Sequence, residues 1–302
     1  MSSIMTNTSA LTALQSLNST NKALEATQSR ISTGYRVSTA SDNAAYWSIA
    51  TTMRSDNKAN SVIQDALGLG AGKVDTAYTA MNSAIDVVDQ IKEKVLLAKT
   101  SSTDDRAKIQ TEISSLQEQL KDSIGGASYA GSNLLKNSST TDTKLTVMTS
   151  YNRDSSGKVT TGAIDVDLAN IRLLKDGSGT AGILDQTGTG ATSIVGLKVS
   201  GTGAASTATA FNDLLTGIET ALKGMASGAA ELGAAKSRID MQKDFVSKLS
   251  DSIDRGVGQL VDADMNKEST RLQALQVQQQ LGIQSLSIAN NNTQSILSLF
   301  RG

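Results

Sequence analysis

A long stretch near each end of this chain is free of charged side chains. No Asp, Glu, Lys or Arg lies between Met1 and Asn21 or between Leu272 and Phe300, stretches of 21 and 29 residues. Chain ends are ordinarily solvated and frayed. These are filled with Ser, Thr, Asn and Gln and marked with Leu and Ile at helical spacing. Such a surface suits burial against protein, not against water or a bilayer.

The rest of the composition narrows the chemistry. The 302 residues include no Pro, Cys or His. Average usage of about 5% would give roughly 15 Pro. Pro breaks a helix interior at a cost of about 3 kcal/mol, so its absence favours long uninterrupted helices. Without His or Cys there is no Ser-His-Asp triad, no Cys nucleophile and no zinc or haem site of the usual kind. No catalytic, cofactor-binding or metal-binding set is expected, and no cofactor. Missing Cys leaves the redox compartment open.

Lys plus Arg number 28 and Asp plus Glu 29, a net charge of −1, which argues against a nucleic-acid partner. Aromatics are 3% of residues, so the core must come from Leu, Ile, Val and Ala, as in slender helix bundles. The apolar runs are too short and too mixed with polar residues for a membrane span, and the first residues lack the basic and apolar parts of a secretory signal.

Periodicity predicts a helix over residues 4–33, with Leu17, Leu24 and Ile31 repeating every seven residues and Leu11 and Leu14 extending the stripe. Gly34 is its stop. A loop follows around Ser41-Asp42-Asn43, with Ser41 or Asp42 as N-cap of a second helix from about Ala44 to Lys99. Thr100 to Asp104 reads as a turn. Ile109, Ile113, Leu116, Leu120 and Ile124 mark a third helix that ends at Gly125-Gly126. From Asn137 to about Ala210 the composition shifts to Gly, Thr and Ser. Alternation at residues 144–149, 163–168 and 194–199 gives strand signals there. Helical patterning resumes at residues 211–222, again at 229–260, and after Asp262-Ala-Asp in a last helix from about Met265 to Phe300.

The expected fold is therefore mainly α, with long antiparallel helical rods built from both chain ends and a small β-rich or irregular central insertion. The expected segments are 1–43, an N-terminal helix with its connecting loop; 44–137, the first part of a helical rod; 138–210, an outward Gly/Thr/Ser-rich module; 211–260, the second part of the rod; and 261–302, a C-terminal helix. The terminal helices are expected to pair like a coiled coil. Gln279 and Gly282 interrupt the heptad through Leu272, Leu275, Leu286 and Ala289, while Leu281 and Ile288 lie on another face. Several neighbours are implied, and the ends are expected to be largely disordered in a monomer and helical on self-association. Leu11, Leu14, Leu17, Leu24, Ile31, Leu272, Leu275, Leu281, Leu286, Ile288, Ile296, Leu299 and Phe300 are the expected subunit contacts.

Three motifs invite sharper readings and fail on context. Gly177 to Gly182 fits GxGxxG, but no βαβ unit surrounds it, so a turn is expected. Gly68-Leu-Gly70-Ala-Gly72-Lys73 has the wrong spacing for a phosphate loop, and small residues admitting a second helix are the expectation. Asp262, Asp264, Asn266 and Glu268 alternate like a calcium loop, but Lys267 and Gln273 stand where the turn Gly and bidentate Glu belong.

Arg30-Ile-Ser-Thr-Gly34-Tyr-Arg36-Val, then Ala40-Ser-Asp42-Asn43-Ala-Ala45 and Ile49-Ala, resembles the N-terminal signature of bacterial flagellins. Ser123 to Leu135 is similar to that family's turn before the outer domain, with Tyr129-Ala130 in place of its usual Phe-Asn. Leu281-Gly, Ile288-Ala-Asn290 and Ser295 to Arg301 resemble the flagellin C-terminus. The likeness covers about residues 1–137 and 211–302, and the Asn43-Ala-Ala-Tyr-Trp47 variant resembles the flagellins of rhizobia and their relatives.

The resemblance implies a secreted filament subunit for swimming motility, exported unfolded through a type III channel and polymerised with itself and related flagellins beneath a cap. It implies an inner tube of terminal helices, an outward middle, an export chaperone on the last helix, and hook-junction and cap proteins as further partners. In many flagellins an Arg and a Leu face the innate immune receptor. Gln90 and Lys94 stand in their places here, which implies poor agonism.

Two other functions remain open on the sequence. One is a hook–filament junction protein, which shares the terminal design. The other is an intracellular helical signalling rod, against which stand the neutral ends and the Gly-rich insertion.

Overall fold

In a computed structural model the described residues are 7–137, 143–154, 156–176, 181–186, 193–201, 203–205 and 207–299, excluding the side chains of 292–299. The helices are α1 (Thr8–Thr33), α2 (Ala44–Thr100), α3 (Thr103–Gly126), a single turn α4 (Leu168–Ile171), α5 (Ala208–Val261) and α6 (Met265–Leu299). Short strands β1 (Ser128–Tyr129), β2 (Ser132–Asn133), β3 (Lys136–Asn137) and β6 (Leu174–Lys175) accompany a hairpin of β4 (Lys144–Arg153) and β5 (Val159–Asp167). The expected fold class holds: long helices from both halves bracket a small central insertion with strands.

Two units share the chain. One comprises Lys58–Ser250. Its core includes a stripe on each long helix repeating mainly every seven residues: Leu67, Val74, Met81, Val88, Ile91 and Val95 on α2, and Phe211, Ile218, Met225, Leu232 and Ile239 on α5. Ile113, Leu120 and Ile124 of α3 complete it. Each such side chain contributes about 1.5–3 kcal/mol on full burial. Lys236 pairs with Asp75 and Lys92 with Glu219 across α2 and α5, which run antiparallel.

The expected gap between residues 222 and 229 does not exist. α5 runs unbroken for 54 residues. Gly224 and Gly228 are needed there for space: a Cβ at Gly228 would lie 3.0 Å from the Asn170 carbonyl oxygen and 3.2 Å from Met81 Cε, and one at Gly224 would lie 3.2 Å from Ile183. Gly70 and Gly72 of α2 correct another expectation. They admit Val147 of β4 and the Tyr129 ring, each 2.6 Å from a built Cβ, not a second helix.

Two of the three strand expectations hold. β4 and β5 pair antiparallel, with Val147 opposite Ile164 and a register shift between Met148 and Ser150. Val147, Ile164 and Val166 face inward. Residues 194–199 are not a strand; Ile194–Gly196 form a 3₁₀ turn. Buried Gln117 of α3 donates to the Ile194 and Leu197 carbonyls at 2.7 and 3.1 Å, and Gln110 accepts the Val199 amide at 2.6 Å. Side-chain amides take the place of a sheet partner.

α3 begins at Thr103, with Ser102 as N-cap and Asp105 donating its amide to the Ser102 hydroxyl, so the expected turn is shorter than Thr100 to Asp104. At the other end Asn133 donates to the Ile124 carbonyl at 2.7 Å and accepts from Leu135 and Lys136 amides. Ala130 holds a left-handed φ of 50° in the β1–β2 turn, where the flagellin pattern has Asn, a residue that tolerates that region better. Residues 177–180 of the GxGxxG stretch 177–182 lie outside the described residues.

The second unit comprises Met1–Asn57 and Asp251–Gly302. Its apolar centre is small: Val37, Ala50, Val257 and Val261, flanked by Met53, Ile253 and Leu260. α1 and α6 pack together in it, and Asn57 of α2 donates to Asp254 of α5 at 2.6 Å.

Candidate functional site

The unit holding both chain ends is the candidate site. α1 starts at an Asn7 N-cap, whose side chain accepts the Ala10 amide at 3.0 Å, and ends at Gly34. Gly34 takes φ +74°, and its amide donates to the Arg30 carbonyl at 2.8 Å. A side chain is disfavoured at that φ, which accounts for Gly in the signature. α6 starts after Asp264, which accepts the Asn266 and Lys267 amides at 3.0 and 3.2 Å. The calcium-like run is thus a helix start, and its last member, Glu268, pairs with Arg30.

α1 and α6 run antiparallel. Asn7 donates to the Ala289 carbonyl at 2.9 Å, Gln279 to Asn21 at 2.9 Å, and Arg30 Nη1 lies 3.3 Å from Glu268 Oε1. Gly282 seats Leu17, whose Cδ1 would lie 3.2 Å from a Cβ at that position. Gln279 and Gly282 therefore belong to the seam. The heptad continues through them with a hydrogen bond and a close approach where apolar bulk was expected.

The expected contact residues divide into two sets. Leu17, Leu24, Ile31, Leu272 and Leu286 are half-buried and Leu275 is buried, on the faces the two helices turn to each other. Leu11, Leu14, Leu281 and Ile288 point away, at 71, 46, 58 and 63% exposure. Val277 and Ile283 join them at 54% each. Sequence reasoning missed these two, although Val277 stands four and eleven residues before Leu281 and Ile288 on one helical face. The side chains of Ile296 and Leu299 lie outside the described residues, as does Phe300.

Of the signature residues, Arg30 acts in the seam, and Gly34, Arg36, Asp42 and Asn43 act in the junction after α1. Gly34 O accepts the Ala263 amide at 2.8 Å, and the Arg36 and Val37 amides donate to the Val261 carbonyl at 2.7 and 3.2 Å. Arg36 also donates a guanidinium hydrogen to the Leu260 carbonyl at 2.9 Å. Asp42 Oδ2 accepts the Ser38 and Thr39 amides at 3.0 and 2.9 Å and the Thr39 hydroxyl at 3.1 Å. These bonds, that of the Thr39 amide first, hold the Asp42 carboxyl below its ordinary value. The N-cap of α2 is Asn43, not Ser41 or Asp42: its Oδ1 accepts the Tyr46 amide at 3.1 Å. Tyr35, Tyr46, Trp47 and Ile49 are exposed beside it, with Arg54 4.8 Å from the Tyr35 ring centre and Arg36 5.9 Å from that of Tyr46.

Gln90 is exposed on α2, and Lys94 is paired with Glu112 of α3. No described helix is long and apolar enough to cross a membrane.

Residues 4–140 match the bacterial flagellin N-terminal helical region and residues 215–300 the bacterial flagellin C-terminal helical region. A flagellin of Brucella melitensis biotype 1 is 58% identical over 306 aligned residues, covering 100% of both chains. Flagellin C and flagellin A of Rhizobium meliloti strain 1021 are 47 and 44% identical, each again covered in full. With both helical regions present in order and relatives aligned end to end, the chain belongs to the bacterial flagellins, the structural subunits of flagellar filaments.

Proposed function

We propose that this subunit builds the filament shaft, and that the outward apolar residues of α1 and α6 are its contacts with other copies. The observation that carries this is the exposure of Leu11, Leu14, Val277, Leu281, Ile283 and Ile288 within the two charge-free terminal stretches. Exposed apolar rows rimmed by polar residues mark interaction surfaces. Growth without limit requires heterologous contacts that do not close.

In this reading the five segments 1–43, 44–137, 138–210, 211–260 and 261–302 serve as inner helix, rod, outward module, rod and inner helix. The subunit is secreted unfolded by type III export, with a chaperone on α6, and meets the cap and hook-junction proteins at the growing and basal ends. Gln90, together with Lys94 engaged by Glu112, offers the immune receptor no apolar anchor, and weak agonism follows.

Seeded growth tests the assignment. Purified full-length chain should extend seeds into long filaments, as seen by electron microscopy. Arrest after a few copies would instead indicate a junction protein. Deleting Leu281 to Phe300 should leave a soluble chain with a folded middle that does not polymerise; fibres from that truncation would overturn the reading.

A further inference from the structure

Hydrophobicity alone does not choose the alignment of α1 with α6. Leu17, Leu24 and Ile31 repeat at seven residues on one helix, and so do Leu272, Gln279 and Leu286, and Leu275, Gly282 and Ala289, on the other. A slide of one heptad, about 10.5 Å, would bring apolar positions together again. Leu17 would then face Leu275 or Ala289 in place of Gly282.

What separates the native alignment from its neighbours is polar. Arg30, whose side chain is 32% exposed, meets Glu268, whose side chain is only 9% exposed and whose Oε2 is buried without a hydrogen-bond partner among the described residues. Burying a charge rarely adds stability over a well-packed apolar residue even when it is paired, and here half of the Glu268 carboxylate is left unsatisfied. Their better-attested use is to fix register. A slip of one heptad would place Glu268 opposite Ala23, or beyond the end of α1, and strand its buried carboxylate away from the Arg30 guanidinium.

We propose that the Arg30–Glu268 pair is the register determinant of the terminal helix pair. It makes every slipped alignment unfavourable, and so sets the stagger at which Leu11, Leu14, Leu281 and Ile288 are presented together. Identical stagger in every copy is what a regular polymer needs, so the inference rests on the assembly role proposed above. The Gln279–Asn21 bond reinforces the same alignment.

The chain has no cysteine, so introduced pairs read the register cleanly. A Cβ built at Gly282 lies 3.9 Å from Leu17 Cβ, within the disulfide range of about 3.5–4.5 Å. Leu17→Cys with Gly282→Cys reports the native alignment; Leu17→Cys with Leu275→Cys or with Ala289→Cys reports the slips. Each pair is placed in the full-length chain with Arg30 and Glu268 intact, and in one carrying Arg30→Leu with Glu268→Leu. Oxidation is followed both in seeded filaments and in free chain with a stabilising osmolyte.

With the ion pair present, intrachain crosslinking should favour the native pair by at least about tenfold. The double Leu variant should keep or raise its helical content while the slipped pairs crosslink about as well as the native one. Arg30→Glu with Glu268→Arg should restore the native preference. Native-only crosslinking in the double Leu variant would overturn the proposal. Failure of the intact chain to form filaments would tell against the shaft reading alone, because crosslinking in the free chain still reports the register.

Discussion

Asp42 organises the connection between α1 and α2 with one carboxylate oxygen. It gathers two amides and a hydroxyl from Ser38 and Thr39, and Asn43 is left to cap α2. The Asp42 pKa is lowered from 3.8, the Thr39 amide bond being the largest cause. A lowered folded-state pKa means that the stabilisation is present above about 3.8 and is lost as pH falls through the lower folded value. Asp42→Asn should therefore reduce amide protection at Ser38 and Thr39 at neutral pH and make no difference in strong acid. Hydrogen exchange of both chains across that pH range checks this, and a difference that persists undiminished in acid would contradict it. The sequence identified Ser41-Asp42-Asn43 as the capping region but could not assign the roles. Asp and Asn are equivalent by propensity. The choice depends on where Arg36 and Val37 dock on the Val261 carbonyl, a contact with the far end of α5. Glu268 escaped for the same reason: its local pattern resembled an ion loop, and its partner lies at Arg30.

Among elements, those with a strong period and local stops were legible: α1 ends at Gly34 and α3 at Gly126, as their spacing implies. Elements whose form depends on a distant partner were not. Glycine costs about 1 kcal/mol in a helix interior, so Gly224 and Gly228 read as a break. α5 nonetheless continues, and at Gly228 it passes the Asn170 carbonyl so closely that an added Cβ would lie 3.0 Å from the oxygen. Gly228→Val should therefore destabilise Lys58–Ser250 by roughly 1–3 kcal/mol through overpacking, despite any gain in helix propensity. That corresponds to a fall of about 2–4 °C in melting midpoint per kcal/mol. Thermal unfolding followed by circular dichroism measures it, and an unchanged or raised midpoint would show that Met81 and the α4 turn yield without cost. The alternation at residues 194–199 misled in the complementary way. Gln117 and Gln110 supply the hydrogen bonds a strand would have sought, and nothing local announces them.

At the scale of the whole molecule, the two units differ in how much each buries for itself. Lys58–Ser250 encloses an extensive apolar cluster along three helices. Among the described residues, the unit with both chain ends has a cluster of four buried apolar residues, and its long seam is interrupted by Thr27, Gln279, Gly282 and the Arg30–Glu268 pair. Ordering a backbone costs on the order of 1–2 kcal/mol per residue, and helices of this length gain most of their stability from packing. A single half-polar seam is poor compensation, whereas neighbours against Leu11, Leu14, Val277, Leu281, Ile283 and Ile288 would add a second buried face to each helix. Assembly and terminal folding should then be one event. In free chain, amides of α1 and α6 should exchange at least roughly 100-fold faster than those of α2 and α5 within Lys58–Ser250. In filaments the difference should largely vanish. Slow exchange of both terminal helices in a demonstrably monomeric chain would mean that the seam suffices alone, and that the neutral ends need a different explanation.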